Sequence, residues 1–205
     1  MRRQEFQIDQ PEELESFLAG MTFGFLGTVD GEGRPRVTPL NFVYADGAFY
    51  FHGSHAGSKM KDIRSRDAVT FSVADEVALI PSYFTDPSLA CPATAYFKSV
   101  TARGRAETVT DLAEKARALS LFMAKLQPQG GYDPITTEDP RYRPQLKAVS
   151  VVRIDVEELT AKFKFGQNLQ EDEREAVIGG LVKREGARDE ETIALMKKYC
   201  PYHSS

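Results

Sequence analysis

Phe49-Tyr50-Phe51-His52-Gly53-Ser54-His55-Ala56-Gly57-Ser58-Lys59-Met60-Lys61-Asp62-Ile63 joins an aromatic strand to a helix through a short polar loop. Gly57-Ser58-Lys59 falls at the first turn of that helix. Backbone N–H groups at a helix start attract anions, and a lysine there adds a full positive charge. The segment is therefore a candidate phosphate seat, placed at the end of a strand able to carry the rest of a nucleotide. The plainer alternative stays open beside it: Ser58 merely caps the helix and Lys59 is a solvated surface lysine. Gly53 and Gly57 stand one residue too close for the phosphate loop of nucleoside triphosphatases, which disfavours that class.

The surrounding chain reads as hairpins. Asp46-Gly47 joins the strand over Ala48 to His52 to an earlier one over Arg36 to Tyr44. Asp30-Gly31-Glu32-Gly33 joins that strand in turn to one over Thr22 to Val29. Pro39 predicts an edge, a bulge or a ligand-facing interruption in its strand. At the N-terminal end, Asp9 with Glu12 and Pro11 predicts a helix start, followed by Leu14, Phe17, Leu18 and Met21 at helical spacing, with Gly20 at its end. After the central helix come a strand over Ala68 to Val73, continuing over Val77 to Pro81, and a loop from Pro81 to Pro92. Ala95 to Val109, with Gly104 in its middle, forms one bent strand or two.

Thr110 is expected to cap a helix whose apolar face is Leu112, Ala116, Leu119, Phe122, Met123 and Leu126. Gln127 to Pro144 reads as irregular and Lys147 to Val156 as a strand. Helices are expected over Glu171 to Lys183 and Glu190 to Tyr199, separated by Gly186. Many short antiparallel strands with inserted helices predict a mainly β, α+β fold, a small closed or split barrel. The expected organisation is a barrel domain over 1–156 and a helical extension of it over 157–205.

Composition narrows the function. A 205-residue chain buries an ample core without metal or disulfide. Its 26 basic and 30 acidic residues, net −4 and without long runs, carry no nucleic-acid footprint. No apolar run is long enough to predict a membrane span, and nothing apolar follows Arg2 and Arg3 as a secretory signal requires. Cys91 and Cys200 lie far apart and read as reduced thiols, which points to the cytoplasm. His52 and His55 suggest a metal pair that no neighbour completes, and Cys200 with His203 has ligand-like spacing at a terminus, so no metal site is expected. No GxSxG elbow supports a serine hydrolase.

Four stretches together carry a family resemblance. They are Gly24-Phe25-Leu26-Gly27-Thr28-Val29 with Gly33-Arg34-Pro35 and Val37-Thr38-Pro39-Leu40-Asn41-Phe42; Asp46 to His52 with Gly57-Ser58-Lys59; Tyr96-Phe97-Lys98-Ser99-Val100 through Gly104-Arg105-Ala106; and Glu114-Lys115-Ala116 with Ala118-Leu119. In this order and spacing, the chain resembles the pyridoxamine 5′-phosphate oxidase-like, FMN-binding split-barrel superfamily. Within it, the nitroimidazole-reductase branch is the most similar. The resemblance implies an antiparallel split β-barrel of the FMN-binding type, forming a homodimer with one FMN at each end of the subunit interface.

Carried onto this chain, the resemblance gives each residue an expected role. Ser58 and Lys59 would hold the phosphate. Val37, Thr38, Pro39 and Leu40 would lie along the isoalloxazine, with main-chain groups bonding its pyrimidine edge. Phe51 and His52 would reach the ribityl chain or ring, and Ser99 and Val100 would contribute across the dimer. His52 is the expected catalytic proton source, and Thr28 a substrate-side neighbour. Without a flavin, Val37, Leu40 and Phe51 are ordinary core residues. The chain lacks the extra arginine that the true oxidases place beside the phosphate lysine, which weakens oxidation of pyridoxamine phosphate as its reaction.

The expected reaction is reduction of a small acceptor, nitroaromatic or quinone, with NAD(P)H as candidate donor. With no GxGxxG present, that donor would bind at the flavin face. Three alternatives accompany this reading. One is a flavin-binding regulator without turnover, favoured by Gly166-Gln167-Asn168 and Gly179-Gly180-Leu181. Another is a haem-binding relative using His52, His55 or His203. The third is a deazaflavin-using reductase.

Overall fold

A computed structural model of the chain describes residues 3–201. His203, a candidate haem ligand, lies outside the described residues. The described residues form seven strands: β1 (Phe23–Val29), β2 (Pro35–Asn41), β3 (Val43–Ala45), β4 (Ala48–Gly53), β5 (Ala68–Ile80), β6 (Thr94–Thr108) and β7 (Ser150–Lys164). Before, between and after them come α1 (Pro11–Gly20), α2 (Ser58–Ser65), α3 (Leu112–Leu126), α4 (Tyr142–Ala148), α5 (Glu171–Arg184) and α6 (Asp189–Lys198). The strands form one sheet in the order β2-β1-β5-β6-β7-β4-β3. β1 pairs antiparallel with β2 and β5, and β4 pairs antiparallel with β3 and β7. β2 also meets β4, yet the sheet does not close, which is the split-barrel arrangement of an α+β fold.

Several elements differ locally from expectation. The strand predicted over Arg36 to Tyr44 is two, because Phe42 turns into the core at 1% exposure and breaks the run between β2 and β3. β6 is a single strand. Asp111 rather than Thr110 caps α3, its carboxylate accepting the Glu114 N–H at 2.8 Å. α1 follows Gln10, while Asp9 accepts a hydrogen bond from the Gln7 side chain at 2.7 Å. The region expected to be irregular ends in α4, and β7 starts only at Ser150.

The chain divides into two compact units. One comprises Gln10–Val73 and Thr101–Leu159. Its centre is a ring cluster of Phe42, Phe49 and Phe71, with centroids 4.9–5.7 Å apart. At these separations ring pairs add to the burial of their area. α3 lays Ala118 and Phe122 on Val43, Tyr50 and Val151 with Leu119 beside them; Ala118 is not among the expected apolar positions, and Leu126, which is, stands 50% exposed. The Lys125 ammonium fastens the end of α1 by donating to the carbonyls of Leu18, Met21 and Phe42. Gly104 allows β6 to cross β7 closely: a Cβ there would lie 2.0 Å from the Asp155 carbonyl oxygen.

The other unit comprises Met1–Asp9, Ala74–Val100 and Thr160–Ser205. Tyr96, Phe163 and Phe165 fill its centre, and Tyr199 stacks on Phe165 at 5.7 Å. Arg174, buried on α5, donates to the carbonyls of Gly166 and Met196 and so ties α5 to α6. Gln167 closes the turn between β7 and α5 on itself, accepting the Phe165 N–H and donating to the Phe163 carbonyl, each at 2.7 Å.

Candidate functional site

The loop after β4 is shaped by its own small residues. The Ser54 hydroxyl accepts the Ala56 N–H at 3.3 Å, and the Ser54 carbonyl accepts the Gly57 N–H at 3.4 Å. Gly57 precedes α2, and its carbonyl takes the N–H groups of Met60 and Lys61. Ser58 is thus the first helical residue, and its side chain does not cap the helix. The amides of Ser58 and Lys59 occupy the open first turn, where an acceptor from outside the helix is needed.

Lys59 bends back toward the end of β4, and a Cβ on Gly53 would stand 3.1 Å from its ammonium nitrogen. A glycine at this strand end leaves the cation room. His52, next along β4, sets its ring edge-on to Phe122 at 4.8 Å. Burial, and then the Lys59 charge, push the imidazole below its usual 6.5. The neutral imidazole, with one N–H to donate, is thereby favoured over the charged form.

A polar triangle, buried at Thr28 and Asp62 and partly solvated at Arg36, fixes α2 against β1 and β2. The Thr28 hydroxyl donates to Asp62 at 3.0 Å, and the Arg36 guanidinium donates to the same oxygen at 2.8 Å. Thr28 and Asp62 are 3% and 4% exposed. The Thr28 proton is thereby committed to Asp62, and the residue braces the helix that carries Ser58 and Lys59.

β2 is an end strand of the sheet, so one backbone edge has no hydrogen-bonded strand partner among the described residues. Its side chains alternate. Val37 and Pro39 are exposed on the face shared with Gly27 and Phe25, while Thr38 and Leu40 are half-buried on the other. A flat ring against this strand meets two of the four expected side chains, along with main chain. Pro39 sits in regular pairing opposite Phe25 and causes no bulge.

The remaining expected contacts are placed differently. Phe51 is 1% exposed within the core. Ser99 and Val100 belong to the other compact unit, where Val100 is 1% exposed and the Ser99 hydroxyl donates to the Lys162 carbonyl at 3.5 Å. His52 and Thr28 open on different spaces. His52 lines an apolar cavity of about 560 Å³ with Leu119, Phe122, Met123, Ile135 and Leu146. Thr28 lines a cleft of about 460 Å³ with Gly27, Arg36, Val37 and Arg103.

Asp62, Arg36 and Phe122 are the members of this neighbourhood that the sequence did not single out as site residues. Asp62 falls between Met60 and Ile63 on the apolar face of α2, and a carboxylate at such a position signals a buried partner. Nothing local names the partner.

Comparison with known proteins places this geometry. The sequence profile of the pyridoxamine 5′-phosphate oxidase family matches residues 10–163. The chain belongs to this family. Among solved structures, flavocytochrome Anf3 of Azotobacter vinelandii is similar at 25% identity and TM-score 0.68, over 86% of this chain and 77% of that one. The FAD and haem binding protein of Mycobacterium smegmatis shares the fold at 17% identity and TM-score 0.66, over 83% and 78% of the two chains. A candidate 5-nitroimidazole antibiotic resistance protein of Bacteroides thetaiotaomicron shares it at 24% identity and TM-score 0.60, over 76% and 85%. No curated protein sequence matches the chain. The β4–α2 junction lies inside the matched residues.

Proposed function

We propose that the protein binds FMN at the β4–α2 junction and reduces a small acceptor of the nitroaromatic or quinone type. The observation that carries this reading is the meeting of the open first turn of α2, the Lys59 ammonium and the neutral His52 at one strand end. The donor set suits a phosphate: two first-turn amides, one hydroxyl and one cation. The family membership supports a flavin, as does the similarity to a flavocytochrome. A bound FMN would supply the electron transfer itself.

The chain's own residues would do the rest. Ser58 and Lys59 neutralise and orient the phosphate, and the Thr28–Asp62–Arg36 triangle keeps their helix in place. Val37 and Pro39 offer apolar surface on one face of β2, Thr38 and Leu40 on the other, and the free strand edge offers fixed hydrogen-bonding groups. His52 holds a proton beside an apolar cavity able to shelter a flat acceptor from water. Homodimerisation, with the flavin between subunits, fits the exposed apolar residues Phe23, Phe25 and Val37 on one face of β1 and β2.

The test is anaerobic reduction of the FMN-loaded protein by NADPH or NADH, followed by addition of a nitrofuran or a naphthoquinone. Flavin bleaching by the nicotinamide and its return on adding acceptor support the proposal. Bound flavin that nicotinamide leaves oxidised would indicate a flavin-binding protein without this turnover.

A further inference from the structure

The second compact unit holds a cavity of about 540 Å³ that the flavin reading does not use. Its lining is mixed: Phe6, Ile80, Phe97, Leu169 and Val177 contribute apolar surface, and Thr85, Thr94, Asn168 and Glu173 polar groups. Three cations line it: Arg3, Lys162 and Lys164. Lys162 lies over the rings of Phe6 and Phe97, at 5.4 and 5.3 Å, and Lys164 donates to the Thr94 hydroxyl. Among the described residues, neither lysine has a carboxylate within ion-pair distance.

Tyr96 supplies an independent observation. It lines the same cavity, is 1% exposed, and its hydroxyl has no hydrogen-bond partner among the described residues. Burial pushes that hydroxyl up to about 12, so it stays a proton donor. It sits hard against Gly166, where a Cβ would come within 2.5 Å of the oxygen. A buried hydroxyl without a partner costs free energy that a polar ligand atom would recover.

We propose that this cavity binds a flat aromatic carboxylate as a second ligand, independent of the flavin. The partly exposed side chains of Phe97 and Leu169 would take the aromatic body, Phe6 being 1% exposed beneath Arg3 and Lys162. Lys162 and Lys164 would take the carboxylate, and the Tyr96 hydroxyl would donate to a polar substituent or carboxylate oxygen reaching the deep end. The charge balance favours a single negative charge. Arg3 is offset by Glu5 at 3.8 Å, and Glu173 also lines the cavity, so the three cations leave one positive charge uncompensated. Burial together with the neighbouring charges of Lys162 and Arg3 lowers the pKa of Lys164, as expected for cations with no anion between them. Phosphate, with two charges, would meet repulsion from Glu173.

The test uses the full chain saturated with FMN and the probe 2-naphthoate, with neutral 2-naphthamide as control. Exposed Cys91 lies on the cavity lining and Cys200 is buried, so reaction with a thiol reagent reports on this place. The proposal expects calorimetric binding of the naphthoate at least tenfold tighter than that of the amide, and slower Cys91 modification when it is bound. Lys162→Gln with Lys164→Gln should weaken binding tenfold or more, and Tyr96→Phe several-fold, with the flavin spectrum unchanged in both. Absence of naphthoate binding, equal binding of the amide, or affinity unchanged in both variants would overturn it. Unaltered flavin spectra in the variants separate any such failure from failure of the flavin assignment.

Discussion

Lys59 is the side chain on which the cofactor proposal depends most. A charge-assisted bond to a phosphate contributes about 1.5–3 kcal/mol, so Lys59→Ala should weaken FMN binding roughly tenfold to a hundredfold, measured by quenching of flavin fluorescence. His52 makes a separate prediction in the flavin-free protein. Its folded pKa is below 6.5, so the unfolded chain binds more protons in the window between the two values. Stability is then fully present above about pH 6.5 and falls as pH drops through the folded pKa. Chemical denaturation over pH 5 to 7 should show this slope, and His52→Phe should flatten it. The first-turn position of Ser58 and Lys59 was legible because glycine, serine and lysine follow a strand-like run after only a short polar loop. The partners of Asp62 were not, since Thr28 and Arg36 lie 34 and 26 positions away and meet it only through the fold.

Between elements, two contacts hold the site's frame. Asp62→Asn would leave Arg36 without its counter-charge and weaken the tie between α2 and β1. Arg36 is partly solvated, so the expected cost is about 2 kcal/mol in denaturant unfolding, with FMN affinity falling in parallel. Gly104→Ala should be more damaging, because the added carbon would meet the β7 backbone at 2.0 Å rather than a side chain able to turn away. An overpacking cost of about 3 kcal/mol is expected, measurable as a lowered denaturation midpoint. Most elements were legible from hairpin turns and apolar spacing. α4 was not, because Pro140 and Pro144 resemble loop residues, although Pro144 falls in the first turn of the helix, where proline is tolerated. The break at Phe42 was also hidden, since an aromatic residue in an apolar run gives no sign that the backbone leaves the strand there.

For the molecule as a whole, sequence and structure agree on an antiparallel split barrel with inserted helices, and the family profile spans most of it. The sequence could not show that β5, β6 and β7 each pass through both compact units, because contacts between distant segments define that division. Phe23 and Phe25 are each 46% exposed and Val37 67%, on one face of the β1–β2 pair. If this face joins two copies, Phe25→Asp should shift sedimentation from dimer toward monomer and lower FMN affinity with it. The most direct measurement is the visible absorption spectrum of the purified protein, before and after addition of FMN, in wild type and Lys59→Ala. We predict a two-band flavin spectrum that saturates in the wild type and is much weakened in the variant. A Soret band in its place, or FMN that leaves the protein unbound, would contradict the assignment of the β4–α2 junction as a flavin phosphate seat.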